Sequence, residues 1–436
     1  MNRTILLFLF AAFTASAQLP IDRDLAAEIA KIKAIDNHAH PVKVVLGKDE
    51  ADREYDALPV ENMEPASDPV RTRPDNPEIV EAWRRLFGYQ YHDRLPAHVR
   101  ELQQRKKQLV EQKGDGYANW VLDQLGIETM FANRVALGRG IQPPRFRWVP
   151  FGDALMYPAN NSQLAAQTPD RKLFFSYEDR LLRRYLQDTG VKSAPATLDE
   201  YVKKVVTPTL EKQKRGGAIA VKFEAAYLRS LDFGATPSGE ATRIYALAQR
   251  STPGIAEYKR LQDYLFRYIA AECGRLGMAV HLHVAAGAGS YFDVSGANPL
   301  LLESVLNDPT LRKTNFVLVH GGWPFTNEVT ALLEKPNAYV DFSEQTFFNY
   351  PREVSQVIRR WLEHVPEKVM FATDAYPFSE ELNWEEAAWM AASAGRQALG
   401  LALSDMLRDQ EVDRSRAVQL ARMVLRDNAL KLYHLP

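Results

Sequence analysis

Along the chain, short apolar runs alternate with stretches in which apolar positions recur every three or four residues. The first helical stretch, "LAAEIAKIKA", leads into "IDNHAH", read as a strand. From Gly126 onward come "TMFANRV", "FRWVPF", "AIAVKF", "MAVHLHV", "NFVLVH", "AYVDFS" and "VMFAT", which makes eight strand candidates. Several are almost wholly apolar, as strands are when helices cover a parallel sheet outside and side chains fill it inside. Helical stretches such as "TLDEYVKKVVTPTLEKQKR", "GIAEYKRLQDYLFRYIAAECGRLG", "NPLLLESVLNDP" and "REVSQVIRRWLEHV" lie between them. Eight strands, most followed by a helix, predict an α/β fold of the (β/α)8 TIM-barrel type. A doubly wound open sheet would carry a glycine-rich nucleotide loop after its first strand, and none follows "IDNHAH".

Three regions break the alternation. Residues 42–125 contain "MEPASDPVRTRPDNPE", with four prolines, and the charged amphipathic "HVRELQQRKKQLVEQK". They predict a helical insertion or cap after the first strand, with the "RKK" run on a solvated face. Residues 380–436 are helical by period and predict a C-terminal extension packed on the barrel. The opening "MNRTILLFLFAAFTASAQ" has one basic residue, an apolar run from Ile5 to Phe13 and the small-residue pattern Ala15-Ser16-Ala17. This predicts a secretory signal peptide over residues 1–17, cut before Gln18, and a secreted or periplasmic protein. The apolar run is too short to span a bilayer. Residues 18–436 then form one barrel domain.

Composition narrows the partners. Lys+Arg number 54 against Asp+Glu 55, a net charge of −1, so no broad basic surface is available for nucleic acid or anionic lipid. The expected partners are a small-molecule substrate and, at most, further copies of the chain. The single cysteine, Cys273, excludes an intramolecular disulfide and a cysteine-based zinc cluster, and it falls in a helical stretch. No G-x-S-x-G elbow and no H-E-x-x-H occur.

Polar residues fall at the predicted strand ends. His40 ends the first strand, Lys222 lies near the end of the fourth, His283 near the end of the fifth, His320 ends the sixth and Asp374 follows the eighth. In a (β/α)8 barrel these ends ring one mouth. His38 and His40, two apart on a strand, share a face and can reach one ion. Imidazoles with a carboxylate suit zinc, or manganese or iron with positions open to water. Such an ion lowers the pKa of bound water toward neutrality. His281 shares a face with His283 and is expected one layer deeper, as a hydrogen-bonded residue. Asp341 and Ser343 lie where a partner that orients a ligand belongs. Trp323 could wall the substrate pocket, and Tyr227 and Arg229 could hold a substrate carbonyl or carboxylate. His92 and His98 are expected at the surface.

The motifs "DNHAHP", "VHLHVAAG", "VLVHGGWPF", "YVDFS", "FATDAYPF" and "LRDNALKLYHL" resemble the amidohydrolase superfamily, in its amidohydrolase 2 branch. "AVKFEAAYLRSLDF" and "NPLLLESVLND" resemble the amidohydrolase module of nodulin-like fusions to glutamine synthetase. The resemblance implies that His38, His40 and His283 are metal ligands, with Asp374 as ligand, general base or both. His320 then binds a second metal, or faces the substrate to polarise its carbonyl or pass a proton. In two-metal members a lysine of the fourth strand carries a bridging carbamate, a role open to Lys222. The other reading makes Lys222 a cation for a substrate carboxylate or for an acid such as Glu224.

These observations lead to the expectation of an exported hydrolase using one or two divalent ions, zinc first. Metal-bound hydroxide would attack a C–N or C–O bond of an amide, ester or lactone-like group. The alternative enzyme class is a metal-dependent decarboxylase of an aromatic or related acid, and a non-catalytic binding barrel is the third possibility.

Overall fold

The computed structural model describes residues 21–58 and 68–435, so the predicted signal peptide lies outside the described residues. All eight strand candidates are strands: β1 (Ala34–Ala39), β2 (Ile127–Asn133), β3 (Phe146–Val149), β4 (Ala220–Phe223), β5 (Ala279–His283), β6 (Phe316–Val319), β7 (Ala338–Asp341) and β8 (Val369–Met370). Every pairing is parallel and joins consecutive strands, in two ladders, β1-β2-β3 and β4-β5-β6-β7-β8. That is the neighbour order of a (β/α)8 barrel.

The ladder is not continuous at two seams. Between β3 and β4 only isolated bridges form, Trp148 with Ala218 and Phe151 with Lys222. There the Ile219 and Lys222 amides donate to the Trp148 and Pro150 carbonyls at 3.1 and 2.8 Å. Across the β8–β1 seam Asn37 N donates to Phe371 O at 3.0 Å, Asp374 N to His38 O at 2.8 Å and His40 N to Ala375 O at 2.7 Å. The last two bonds tie three candidate site residues to one another through the main chain.

Nine of the helices matter for the site and its support: α1 (Arg23–Lys31), α2 (Pro77–Phe87), α3 (Pro96–Lys113), α4 (Tyr117–Leu125), α5 (Ile255–Leu276), α6 (Pro351–His364), α7 (Trp384–Arg408), α8 (Arg414–Arg422) and α9 (Asn428–Tyr433). Two predicted helices are irregular. "NPLLLESVLNDP" forms a 3-10 turn over Pro299–Leu302 and one α-turn over Glu303–Leu306. "TLDEYVKKVVTPTLEKQKR" carries a π-turn over Val202–Val206, just before Pro208, whose ring and missing N–H disrupt regular helical bonding.

Three apolar clusters support these elements. The largest joins the barrel to its covering helices. A second gathers α2, α3 and α4 with the first half of α7, around Trp83 and Trp384. Trp83 Nε1 donates to Glu381 O at 2.9 Å, and Lys106 pairs with Glu386 at 2.7 Å, so helices from residues 42–125 and 380–436 pack on each other. The third fills the barrel interior, where Ile35, Phe131, Val149, Val317 and Met370 meet Ala429 and Leu432 of α9. This C-terminal helix plugs the barrel beneath the site.

Candidate metal centre

The strand ends bring the predicted histidines together. Ring centroids are 5.1 Å apart for His38 and His40, 5.0 Å for His38 and His320, and 4.6 Å for His283 and His320. Asp374 Oδ1 lies 3.1 Å from His38 Nε2 and 3.7 Å from His40 Nε2. Three compact donor groups result among the described residues, His38/His40/Asp374, His283/His320/Glu344 and His40/Asp56/Glu224, each with its ligand atoms within 4.8 Å of one another. Lys222 Nζ stands 3.4 Å from His38 Nε2 and 3.7 Å from Glu224 Oε1.

Hydrogen bonds fix which ring nitrogens are bare. A carbonyl can only accept, so His40 Nδ1, 3.1 Å from Tyr55 O, carries its proton and leaves Nε2 toward Asp374. His283 Nε2 donates to Ala285 O at 3.0 Å, which leaves Nδ1 as its lone pair. Ser343 Oγ donates to Asp341 Oδ1 at 2.5 Å and accepts from His320 Nδ1 at 2.8 Å, so His320 Nε2 is bare. Asp341 also accepts from the backbone amides of His320 and Ser343 and from Asn37 Nδ2 at 2.9 Å. Asn37 in turn accepts from Tyr433 Oη at 2.6 Å. The expected partner group at the end of β7 therefore exists, and it runs on to α9. His281, its Nε2 2.6 Å from Tyr433 Oη, belongs to this deeper layer, as the sequence predicts.

Three donors sit on strained backbone. His320, Glu344 and Asp374 have φ of 72°, 58° and 54°, in the left-handed region that side chains with a Cβ seldom occupy. Each follows a strand end, where reversing the chain sharply turns the side chain back over the mouth. The surrounding packing holds these conformations, a pattern concentrated at functional sites.

Burial sets the electrostatics. It pushes His38, His283 and His320 well below the ordinary histidine range and His40 to about 3, with Lys222 adding to each shift. The imidazoles are neutral, the form that ligates metal. The same burial raises Asp374 to about 7 and Glu344 well above the ordinary carboxylate range. Neutral imidazoles beside carboxylates that resist ionisation form a site short of positive charge. Its donor set, nitrogen with carboxylate oxygen and no sulfur, fits zinc, manganese or iron. His38 Nδ1 and Glu344 Oε2 are buried without hydrogen-bond partners among the described residues.

All these groups except His38 face a cavity of about 300 Å³, which Tyr227 also lines. Two expectations are corrected. Arg229 does not reach the cavity: its guanidinium is spent on Asp263 at 2.5 Å, Gln262 at 3.1 Å and the Ser230 and Asp232 carbonyls, because a buried arginine must satisfy its donors. Trp323 stands behind the wall, stacked at 4.7 Å on Phe348, which does line the cavity. His92 and His98 lie away from it, His98 stacked on Tyr91 at 3.5 Å. The sequence reading missed Glu344, Asp56, Tyr55 and Tyr376. Glu344 directly follows the "YVDFS" strand end, a signal that could have found it, whereas Asp56 lies in the irregular segment after β1.

Comparison with known proteins fits this layout. No curated protein matches the chain. Three solved structures share the fold. A protein described as a metal-dependent hydrolase from Lactobacillus casei has a TM-score of 0.57 at 15% identity, covering 94% of this chain and 97% of that one. Uronate isomerase from Thermotoga maritima has 0.63 at 12%, covering 95% and 98%. Glucuronate isomerase from Caulobacter crescentus has 0.63 at 13%, covering 95% and 93%. The family model described as Amidohydrolase matches residues 188–435, the part that carries β4 to β8 with Lys222, His283, His320 and Asp374. The chain belongs to this amidohydrolase family of metal-dependent enzymes.

Proposed function

We propose that the chain is an exported hydrolase that uses a divalent ion, zinc before manganese or iron, to cleave a C–N or C–O bond in an amide, ester or lactone-like small molecule. The observation that carries this reading is the convergence of His40, Asp374, His283, His320 and Glu344 on one cavity, with His38 directly behind Asp374. These residues would hold one or two ions, which supply Lewis acidity and an acidified water. Asp374, its carboxyl raised by burial, takes a proton from the attacking water and returns it to the leaving nitrogen or oxygen. His320 offers a bare Nε2, so it serves as a ligand or proton acceptor rather than as a donor to a substrate carbonyl. Lys222 is read as an ammonium paired with Glu224, since a carbamate there would set another anion beside Glu224 and Asp56.

Lys222 is the sole lysine or arginine among the described residues that line the cavity. A carboxylic acid would therefore have the bound ions, rather than a further cationic side chain, to hold its carboxylate. Elemental analysis tests the metal roles. His38→Ala and Asp374→Asn are expected to lose bound metal and activity, and Lys222→Ala to keep its metal; metal loss in the lysine variant would restore the carbamate. Carbon dioxide release from aromatic acids, without water-dependent cleavage of amides or lactones, would overturn the hydrolase assignment. A mature N-terminus at Gln18 in the exported protein checks the signal peptide.

A further inference from the structure

The third donor group contains a carboxylate pair, Asp56 and Glu224, to which the proposed chemistry gives no part beyond the pairing of Glu224 with Lys222. Asp56 and Glu224 are buried, line the same cavity, and hold their oxygens within 4.8 Å of each other and of a ring nitrogen of His40. Glu224 Oε1 faces Lys222 at 3.7 Å, while its Oε2 has no hydrogen-bond partner among the described residues. Asp68 adds a third carboxylate to the wall. Next to the pair, aromatic rings form a continuous surface: Tyr55 and Tyr376 are 5.6 Å apart, Tyr376 and Phe378 5.4 Å, and Phe378 and Phe347 5.3 Å. Tyr376 also packs against His40 at 5.5 Å, so this wall begins at the donor groups.

Carboxylates that outnumber their cations, set beside aromatic faces, recognise organic cations, through charge-assisted hydrogen bonds from N–H donors and the negative ring faces. We propose that Asp56 and Glu224 form a subsite for a positively charged group on the substrate, an amine or guanidine, held against the Tyr55–Tyr376 wall while the scissile bond lies at the histidines. This rests on the hydrolase reading for what happens at the histidines, but the binding claim is separable from it. The pair could instead hold a further metal ion or share one proton, and the experiment separates these occupants.

The metal-loaded full chain is titrated calorimetrically with ε-aminocaproamide, caproamide and adipamic acid, amides alike in length whose far ends are cationic, neutral and anionic. The aminoamide is expected to bind at least about ten-fold more tightly than either other probe. Asp56→Asn and Glu224→Gln are each expected to abolish the preference with metal content unchanged. Equal binding of the three probes, or preference for the acid, overturns the subsite, and this result needs no variant to fold. Loss of metal in either variant also overturns it, in favour of a metal role for the pair. Nitroanilides and nitrophenyl esters of the same acyl chains read the hydrolase assignment separately. Cation preference without turnover of any of them sinks that assignment and leaves the subsite standing, and turnover without preference does the reverse.

Discussion

At the scale of single residues, the site is governed by what each buried polar atom is bonded to. Ser343 links Asp341 to His320 Nδ1 and so keeps Nε2 bare toward the cavity. Ser343→Ala frees the ring without touching the cavity, and activity is expected to fall about 10- to 100-fold while metal content and folding persist. Steady-state kinetics beside elemental analysis checks this, and unchanged turnover would deny the link a role. Asp153 shows the opposite situation. Burial pushes its carboxyl up to about 8, with Glu224 opposing ionisation and Lys222 favouring it, and Glu178 nearby is also raised well above its ordinary range. A carboxyl raised on folding holds its proton in the folded state after the unfolded chain has lost it. The contribution of Asp153 to stability therefore declines as pH rises from about 4 to about 8. Asp153→Asn removes that titration, so its melting temperature is expected to exceed that of the parent at pH 8 and to vary less with pH. Thermal melts across this range decide; a variant that melts lower at pH 8 contradicts the assignment.

At the scale of elements, two basic residues near one strand end take different roles according to what the neighbouring element offers. Arg229 follows the fourth strand, in which Lys222 lies, yet α5 brings Asp263 and Gln262 to it, and the guanidinium is consumed there. Removing one partner of a buried ion pair leaves the other charge uncompensated. Lys259 also reaches Asp263, at 3.0 Å, and offsets part of the loss. Arg229→Ala is expected to destabilise by about 3 kcal/mol in denaturant melts while substrate KM stays unchanged. A raised KM at unchanged stability would return Arg229 to the substrate. Strand existence was legible because several of these buried parallel strands are almost wholly apolar, and all eight candidates formed. The broken helix at "NPLLLESVLNDP" was not, because apolar spacing at 3.6 residues cannot distinguish one α-turn after a 3-10 turn from a continuous helix.

At the scale of the molecule, the chain's end closes its beginning. Tyr433 donates to Asn37 of β1, Val424 O accepts the Phe371 amide beyond β8, and Leu432 fills the barrel interior. A chain ending before Asn428 loses the plug and the bonds of Asn428 to the Pro366 and Val369 carbonyls. It is expected to lose cooperative unfolding, which circular dichroism and calorimetry would show; a truncated chain with a native-like melt would demote α9 to an accessory.

The histidines, Lys222 and Asp374 could be named from sequence because their chemistry is carried by residue type and their placement by strand periodicity, both local properties. By themselves these pointed to the strand order and to a ring of nitrogen and carboxylate donors at the strand ends. What only the tertiary structure decided was which side chains compete for each one: that Arg229 is spent on α5, that Ser343 sets the tautomer of His320, and that Glu344 and Asp56 join the cavity. Those outcomes depend on side chains well separated along the chain, Arg229 from Asp263 and Ser343 from His320 among them, meeting within about 3 Å, the range at which hydrogen bonds form. No period along the chain encodes that distance.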